Sequence, residues 1–325
     1  MLNIKPLHGD FRSCVEDVIV SVASWWERNH ELMYAEAWNF QYTPWDPVLP
    51  NTIGKRLSEG EDKTWSYLAR FHGIFLKYQK NLHSPSEALK LIENELEKGH
   101  PVMVYVNDFW CPWRKFYQIE HQIQPCLVVG INVSNSQLIC IDPYSTSEFK
   151  VFPIDKFMNA YKNCVTFTKG QYTDVDERVE DIIRLSAEKL LECKEHGNRF
   201  DNMRIFAFDI EHTLDMNMEM QGSTFSAPRY QLLNTLKYLA RRRRQYSLFI
   251  GYMSKRYGWN ISNYCNEMDL ASQKWNIITN LFLKMHYMQE WYISRKNIAN
   301  KIREAADFEE RIANSLLNSL DSYNT

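Results

Sequence analysis

"IEHQIQPCLVVGINVSNSQLICIDPYS", residues 119–145, reads as two apolar strands around a polar turn. "IEHQIQPCLVVGI" (119–131) and "QLICID" flank "NVSNS", which is a hairpin signature. Upstream, "HPVMVYVNDF" (100–109) reads as a buried strand. Before it, "PSEALKLIENELEK" (85–98) reads as a helix with Ser84 as N-cap and Pro85 at its first position. Glu87 completes a capping box there and Gly99 ends the helix. Downstream, residues 145–157 continue through "FKVFPIDKF", and "NCVTFTKG" (163–170) reads as a last strand. At the other end, "HGDFRSCVEDVIVSVASWW" (8–26) opens an amphipathic helix expected over 14–30. Val15, Val18, Ile19, Val22, Trp25 and Trp26 share its apolar face. "TPWDPVLPN" (43–51) holds three prolines and reads as irregular.

After Gly170 the composition turns acidic, then helical, with Lys, Arg, Glu, Leu and Ala prominent. The expected organisation is an α+β domain over 1–172 and a mostly helical domain over 173–325, with a loop expected within 205–226. The chain of 325 residues is 45% hydrophobic and 14% aromatic, ample for a sizeable core. Its net charge of -2 argues against general attraction to nucleic acid or acidic membranes. The most basic run, Arg241–Arg244, reads as a solvated helix face. Seven cysteines, with no CxxC pair and no zinc spacing, read as reduced cytoplasmic thiols and no metal site. No apolar run is long enough to span a membrane, and "MLNIKPLHGD" does not read as a signal peptide.

Cys14 stands in the first turn of its helix. The helix dipole and unpaired N–H groups there favour a thiolate, although a small buried thiol is the commoner use of an isolated cysteine. His121 lies near the start of one hairpin strand, and Asp142 ends the return strand just before Pro143. The order Cys, His, Asp is that of a papain-like site. There the imidazole serves the thiol and the carboxylate fixes the tautomer. The aromatic segment "FWCPWRKFYQ" (109–118) reads as core or interface, or as the lining of an acyl pocket beside His121 with Trp110, Trp113, Tyr117 and Gln124 as candidates. Arg114 and Lys115 read as a solvated loop tip or as a contact for a carrier protein.

The "CVED" helix start, the "CLVVGI" strand and the "IDPYS" ending resemble the butirosin biosynthesis protein H family and, more distantly, bacteriocin-processing cysteine peptidases. "RRRRQYSLFI", "ASQKWNIITNLFLK" and "AADFEERIANSL" resemble that family's helical second domain. The resemblance implies a papain-like fold and acyl transfer from a carrier-protein thioester, through the enzyme cysteine, to an amine acceptor in antibiotic or nonribosomal peptide biosynthesis. It implies no resident cofactor, since phosphopantetheine arrives on the acyl or peptidyl carrier protein. A homodimer is compatible with it.

Cys14 would be the acyl acceptor, His121 the acid/base and Asp142 its orienter. The peptidase relatives place an oxyanion-donating Gln six positions before the cysteine, where this chain has His8. Relatives place the histidine six residues before the glycine of the "VVG" strand, which here is Gln124. A turn centred near Val133 sets Asp142 opposite Gln124, with His121 on the other face. A bulge at Pro125 would restore His121, and without one no imidazole faces the thiol. A peptidase or amidase of the same fold, or a non-catalytic binding protein, are the alternatives.

Overall fold

A computed structural model describes residues 1–46, 48, 52–58, 60, 63–171, 179–221, 230–288 and 291–321. The chain is α+β. It divides into two compact units, Met1–Leu32 with Trp65–Asp174, and Met33–Thr64 with Val175–Thr325. The boundary expected near residue 172 lies outside the described residues. Residues 33–64 group with the second unit, although the sequence reading places them in the first.

The first unit opens with α1, Cys14–Trp25, followed by α2, Thr64–His72. The strands are β1 (Ile74–Tyr78), β2 (Val102–Asn107), β3 (Ile123–Asn132), β4 (Gln137–Ile141), β5 (Phe149–Pro153) and β6 (Tyr161–Lys169). They form one antiparallel sheet in the order β1-β6-β2-β3-β4-β5. Helix α3 spans Pro85–Glu97 and helix α4 spans Ile154–Ala160.

Alternation along β2 and β3 decides which face each side chain joins. Val102, Val104, Val106, Cys126 and Val128 point to a core shared with Ala88 and Ile92 of α3 and Phe157 of α4. Helix α1 packs on β3. Its Val18, Ile19 and Val22 are fully buried, and Trp26 meets Phe167 of β6 edge-on at 6.5 Å.

Helix α1 ends at Trp25, short of the expected residue 30, because the chain turns at Glu27 with φ 56°. His30 is therefore not at a helix C-terminus, and burial pushes its imidazole below the ordinary value. The hairpin register also differs from the expectation. Gly130 pairs with Ile139 and Leu127 with Ile141, so Asp142 follows at the level of Cys126 rather than Gln124. The irregularity falls between Val128 and Gly130, not at Pro125, which pairs in register with Tyr105. Val129 O accepts the Leu2 N–H at 2.7 Å, and a Cβ on Gly130 would meet Met1 at 3.1 Å. The bulge thus seats the N-terminal segment beside β3.

The second unit is mostly helical, with long helices at Gln231–Tyr257, Asn263–Met288 and Trp291–Asp321. The loop expected within 205–226 is in part helix, over Arg199–His212 and Met216–Glu219, while 222–229 lie outside the described residues. Three buried carboxylates from these helices fasten the 33–64 segment. Glu309 receives Trp38 Nε1 at 2.6 Å, Asp209 receives Tyr42 OH at 2.5 Å, and Glu219 receives the Ile53 and Gly54 N–H groups. The expected solvated face of Arg241–Arg244 is buried in its middle. Arg242 and Arg243 are 3% and 1% exposed, and Arg243 Nη1 donates to Asn39 O at 2.7 Å. Among the described residues no helix is long and apolar enough to cross a membrane.

Candidate active site

Cys14 is the first residue of α1. Ser13 caps the helix by accepting the Glu16 N–H, while the Glu16 carboxylate accepts the Ser13 N–H at 2.6 Å. This capping box, legible as S-x-x-E, fixes the helix start and commits the Glu16 carboxylate to the Ser13 N–H. The thiol is half-buried. Burial pushes it above the ordinary thiol value, and Asp142 adds to the rise. The Val15 N–H and the Arg114 charge oppose it. The net direction is upward, so the thiol needs a base to ionise near neutral pH.

Asp142 is buried and committed. Its Oδ2 accepts Arg114 Nε at 2.7 Å and Trp113 Nε1 at 2.8 Å. Arg114 is not at a solvated loop tip. It is 6% exposed, pairs with Asp108 at 2.5 Å, and donates to Pro125 O at 2.7 Å and Gln124 O at 3.4 Å. One guanidinium thereby ties the aromatic loop to the end of β2, to β3 and to the exit of β4. Its five donors in a fixed fork suit that task.

His121 is exposed and stacks on Phe109 at 4.5 Å. Its partner is Asn107 rather than Asp142, at 2.9 Å from Nδ1. Asn107 Oδ1 already accepts the Phe109 N–H at 3.1 Å, and a backbone N–H can only donate. The amide arm facing His121 is therefore NH2, and Nδ1 of the neutral ring is an acceptor. The ring proton resides on Nε2, which makes His121 a donor there.

His8 has the opposite arrangement. Its Nδ1 lies 2.6 Å from Oδ2 of Asp17, a fully buried carboxylate that also receives Arg12 Nε at 2.8 Å and the Gly9 N–H at 3.1 Å. A carboxylate only accepts, so Nδ1 carries the proton, and Nε2 of the neutral ring is an acceptor, 3.8 Å from Oδ1 of Asp10. The His8 ring stands edge-on to Tyr144 at 5.6 Å.

No family model and no curated protein matches the chain.

The remaining pocket candidates are placed as follows. Trp113 meets Phe152 edge-on at 5.1 Å, and Trp110 meets Phe109 edge-on at 5.2 Å. Tyr117 OH accepts Lys156 Nζ at 2.6 Å. Gln124 Nε2 reaches Gln122 Oε1 at 3.5 Å. Cys111 is fully buried in the core. His72 is buried and accepts the Leu32 N–H on Nε2 at 3.2 Å. Among the described residues no group of three His, Cys, Asp or Glu side chains gathers as for a metal ion.

Asn107, Asp17 and Asp108 escape a sequence reading because their partners, His121, His8 with Arg12, and Arg114, are set by how the intervening loops fold rather than by a fixed spacing.

The thiols also set an alkaline limit. Burial holds Cys111 and Cys164 above the ordinary value, and a hydrogen bond with Cys126 together with burial does so for Cys140. Unfolded thiols release protons from about pH 8.5 upward, while these stay protonated in the fold. The unfolded state then binds fewer protons, so stability falls with rising pH, by up to about 1.4 kcal/mol per thiol per pH unit. Urea midpoints at about pH 7.5 and 9.5 should show this loss, reduced in Cys164→Ala. An equal loss in that variant would contradict it.

Proposed function

We propose that the first unit is a papain-like cysteine acyltransferase. In this reading it moves an acyl group from a carrier-protein thioester through Cys14 to an amine, in the cytoplasmic biosynthesis of an antibiotic or nonribosomal peptide. The observation that carries it is Cys14 at a capped helix N-terminus that packs on a sheet, with a buried Arg114–Asp142 pair acting on the thiol. A helix N-terminus lends partial positive charge to a developing thiolate. The phosphopantetheine arm arrives on the carrier, so the protein supplies only the nucleophile, proton transfer and hydrogen-bond donors.

A cysteine hydrolase of the same architecture shares every one of these features and differs only in its acceptor. The test uses the full chain with an acylated carrier protein. Intact-mass measurement should show the acyl mass move to the protein, and an added amine should then consume it faster than water does. Release at the same rate with and without amine would favour the hydrolase. Absence of transfer from the carrier would overturn the carrier-dependent reading.

A further inference from the structure

His8 and His121 are held in complementary tautomers, and this separates their chemistry. His8 is anchored to α1. Asp17 lies one helical turn after Cys14, at the i, i+3 spacing that brings side chains together. Helical side chains lean toward the N-terminus, so the Asp17 carboxylate is carried over the turn that bears Cys14. His8 sits 2.6 Å from that carboxylate, and its ring meets Tyr144, two residues beyond the Asp142 whose charge acts on Cys14. The carboxylate that holds His8 thus belongs to the turn of α1 that begins at Cys14, and the ring faces the turn that follows Asp142. His121 is anchored to the sheet instead. Its partner Asn107 is two residues along β2 from Tyr105, on the same face; burial raises the Tyr105 hydroxyl, and Tyr78 and then Cys14 add to the rise.

We propose that His8, held by Asp17, takes the proton of the Cys14 thiol, and that His121, held by Asn107, donates its Nε2–H to the acyl oxygen. This assignment rests on the acyl-transfer reading above and exchanges the roles that the resemblance implies for the two histidines. In the first half-reaction the Cys14 proton passes to His8 Nε2 as the sulfur attacks the thioester carbonyl. The carbonyl oxygen gains charge and accepts the His121 Nε2–H. The donor C–S bond then breaks, and the leaving thiolate takes the proton from His8. In the second half-reaction His8 takes a proton from the attacking amine, the Cys14 C–S bond breaks, and the proton returns to the sulfur. His8 also lines a polar cavity of about 370 Å³ with Arg12, Ser24, Arg28, His30 and Glu31, on which the acceptor can approach the same imidazole.

Alkylation and acylation separate the two roles. Iodoacetamide needs a thiolate but develops no oxyanion, whereas a short acyl-pantetheine thioester needs both. The charged and titratable groups facing His8 are Asp10, Arg12 and Asp17, with Tyr144 across the ring and Arg28, His30 and Glu31 lining the same cavity; those acting on Cys14 are Arg114 and Asp142. None of them is altered in the variants below. With the full chain and peptide-mapped mass spectrometry, His8→Gln should slow Cys14 alkylation near pH 7 by roughly 10²-fold or more, as for a lost general base. Added imidazole should restore alkylation in His8→Ala, and His8 is exposed enough on its side chain (43%) to be replaced without disturbing the core. His121→Gln should alkylate at a rate close to wild type while acylating about 10²–10³-fold more slowly, as for a lost oxyanion donor. Slow alkylation in His121→Gln together with wild-type alkylation in His8→Gln would overturn the assignment. If wild-type protein takes no acyl group on Cys14, the acyl-transfer reading fails instead, and the alkylation contrast still reports which imidazole serves the thiol.

Discussion

Glu309→Ala is expected to destabilise the helical unit by about 3–5 kcal/mol, because it leaves a buried guanidinium without its counter-charge. Glu309 is fully buried, with Arg243 at 2.9 Å and the Nε1–H groups of Trp38 and Trp275 each at 2.6 Å. The Arg243 guanidinium also lies over the Trp275 ring at 5.4 Å. Alanine would orphan two indole donors as well as a charge, and buried donors without partners carry the full desolvation penalty. The check is the urea midpoint of the variant against wild type. The double variant Arg243→Met with Glu309→Leu should recover only the part owed to the unpaired charge, since both indole N–H groups stay without an acceptor. A single-variant loss under about 1 kcal/mol would mean the pair is solvated.

Arg114→Leu is expected to cost the first unit a similar amount, about 3–5 kcal/mol, by leaving Asp108 and Asp142 buried without their cation. Burial already pushes Asp108 above the ordinary carboxylate value, with Arg114 opposing that shift. Without Arg114 the rise is larger. A carboxylate raised in the folded state is destabilising once the unfolded group ionises. The deficit should therefore grow as pH rises through about 4 and shrink below it. The comparison is wild type against variant in urea at acid and neutral pH. A deficit independent of pH would contradict this account. The same variant should also alkylate Cys14 more slowly, because the cation that favours its thiolate is gone.

Those two ion pairs also explain where the sequence is opaque. Helix starts are legible because their signals are local: the Ser84–Pro85 cap and the S-x-x-E of Ser13–Glu16 act over a single turn. The hairpin strands and the strand at Val102–Asn107 are legible from continuous aliphatic runs. Short Ile74–Tyr78 carries no such run, and its pairing with Tyr161–Lys169 is nonlocal. The grouping of residues 33–64 with the helical unit is carried by Glu309, Asp209 and Glu219, which lie some 165 to 270 residues away from their partners. The Arg241–Arg244 run is polar by composition, and only tertiary pairing reveals that its middle is buried.

The candidate site divides the same way. Cys14, His8, His121 and Asp142 are visible as residue types in order. Their pairings are not, because the bulge at Val129 and the buried Arg114 decide them. Register set one residue differently would send Asp142 to another neighbour.

The most direct measurement is the site of acylation after brief incubation of the full chain with a short acyl-pantetheine thioester, mapped by peptide mass spectrometry across all seven cysteines. The account predicts one acyl group, on Cys14, formed far faster than on exposed Cys193 and lost in Cys14→Ala. Acylation spread among exposed thiols, with Cys14 unmodified, would contradict it.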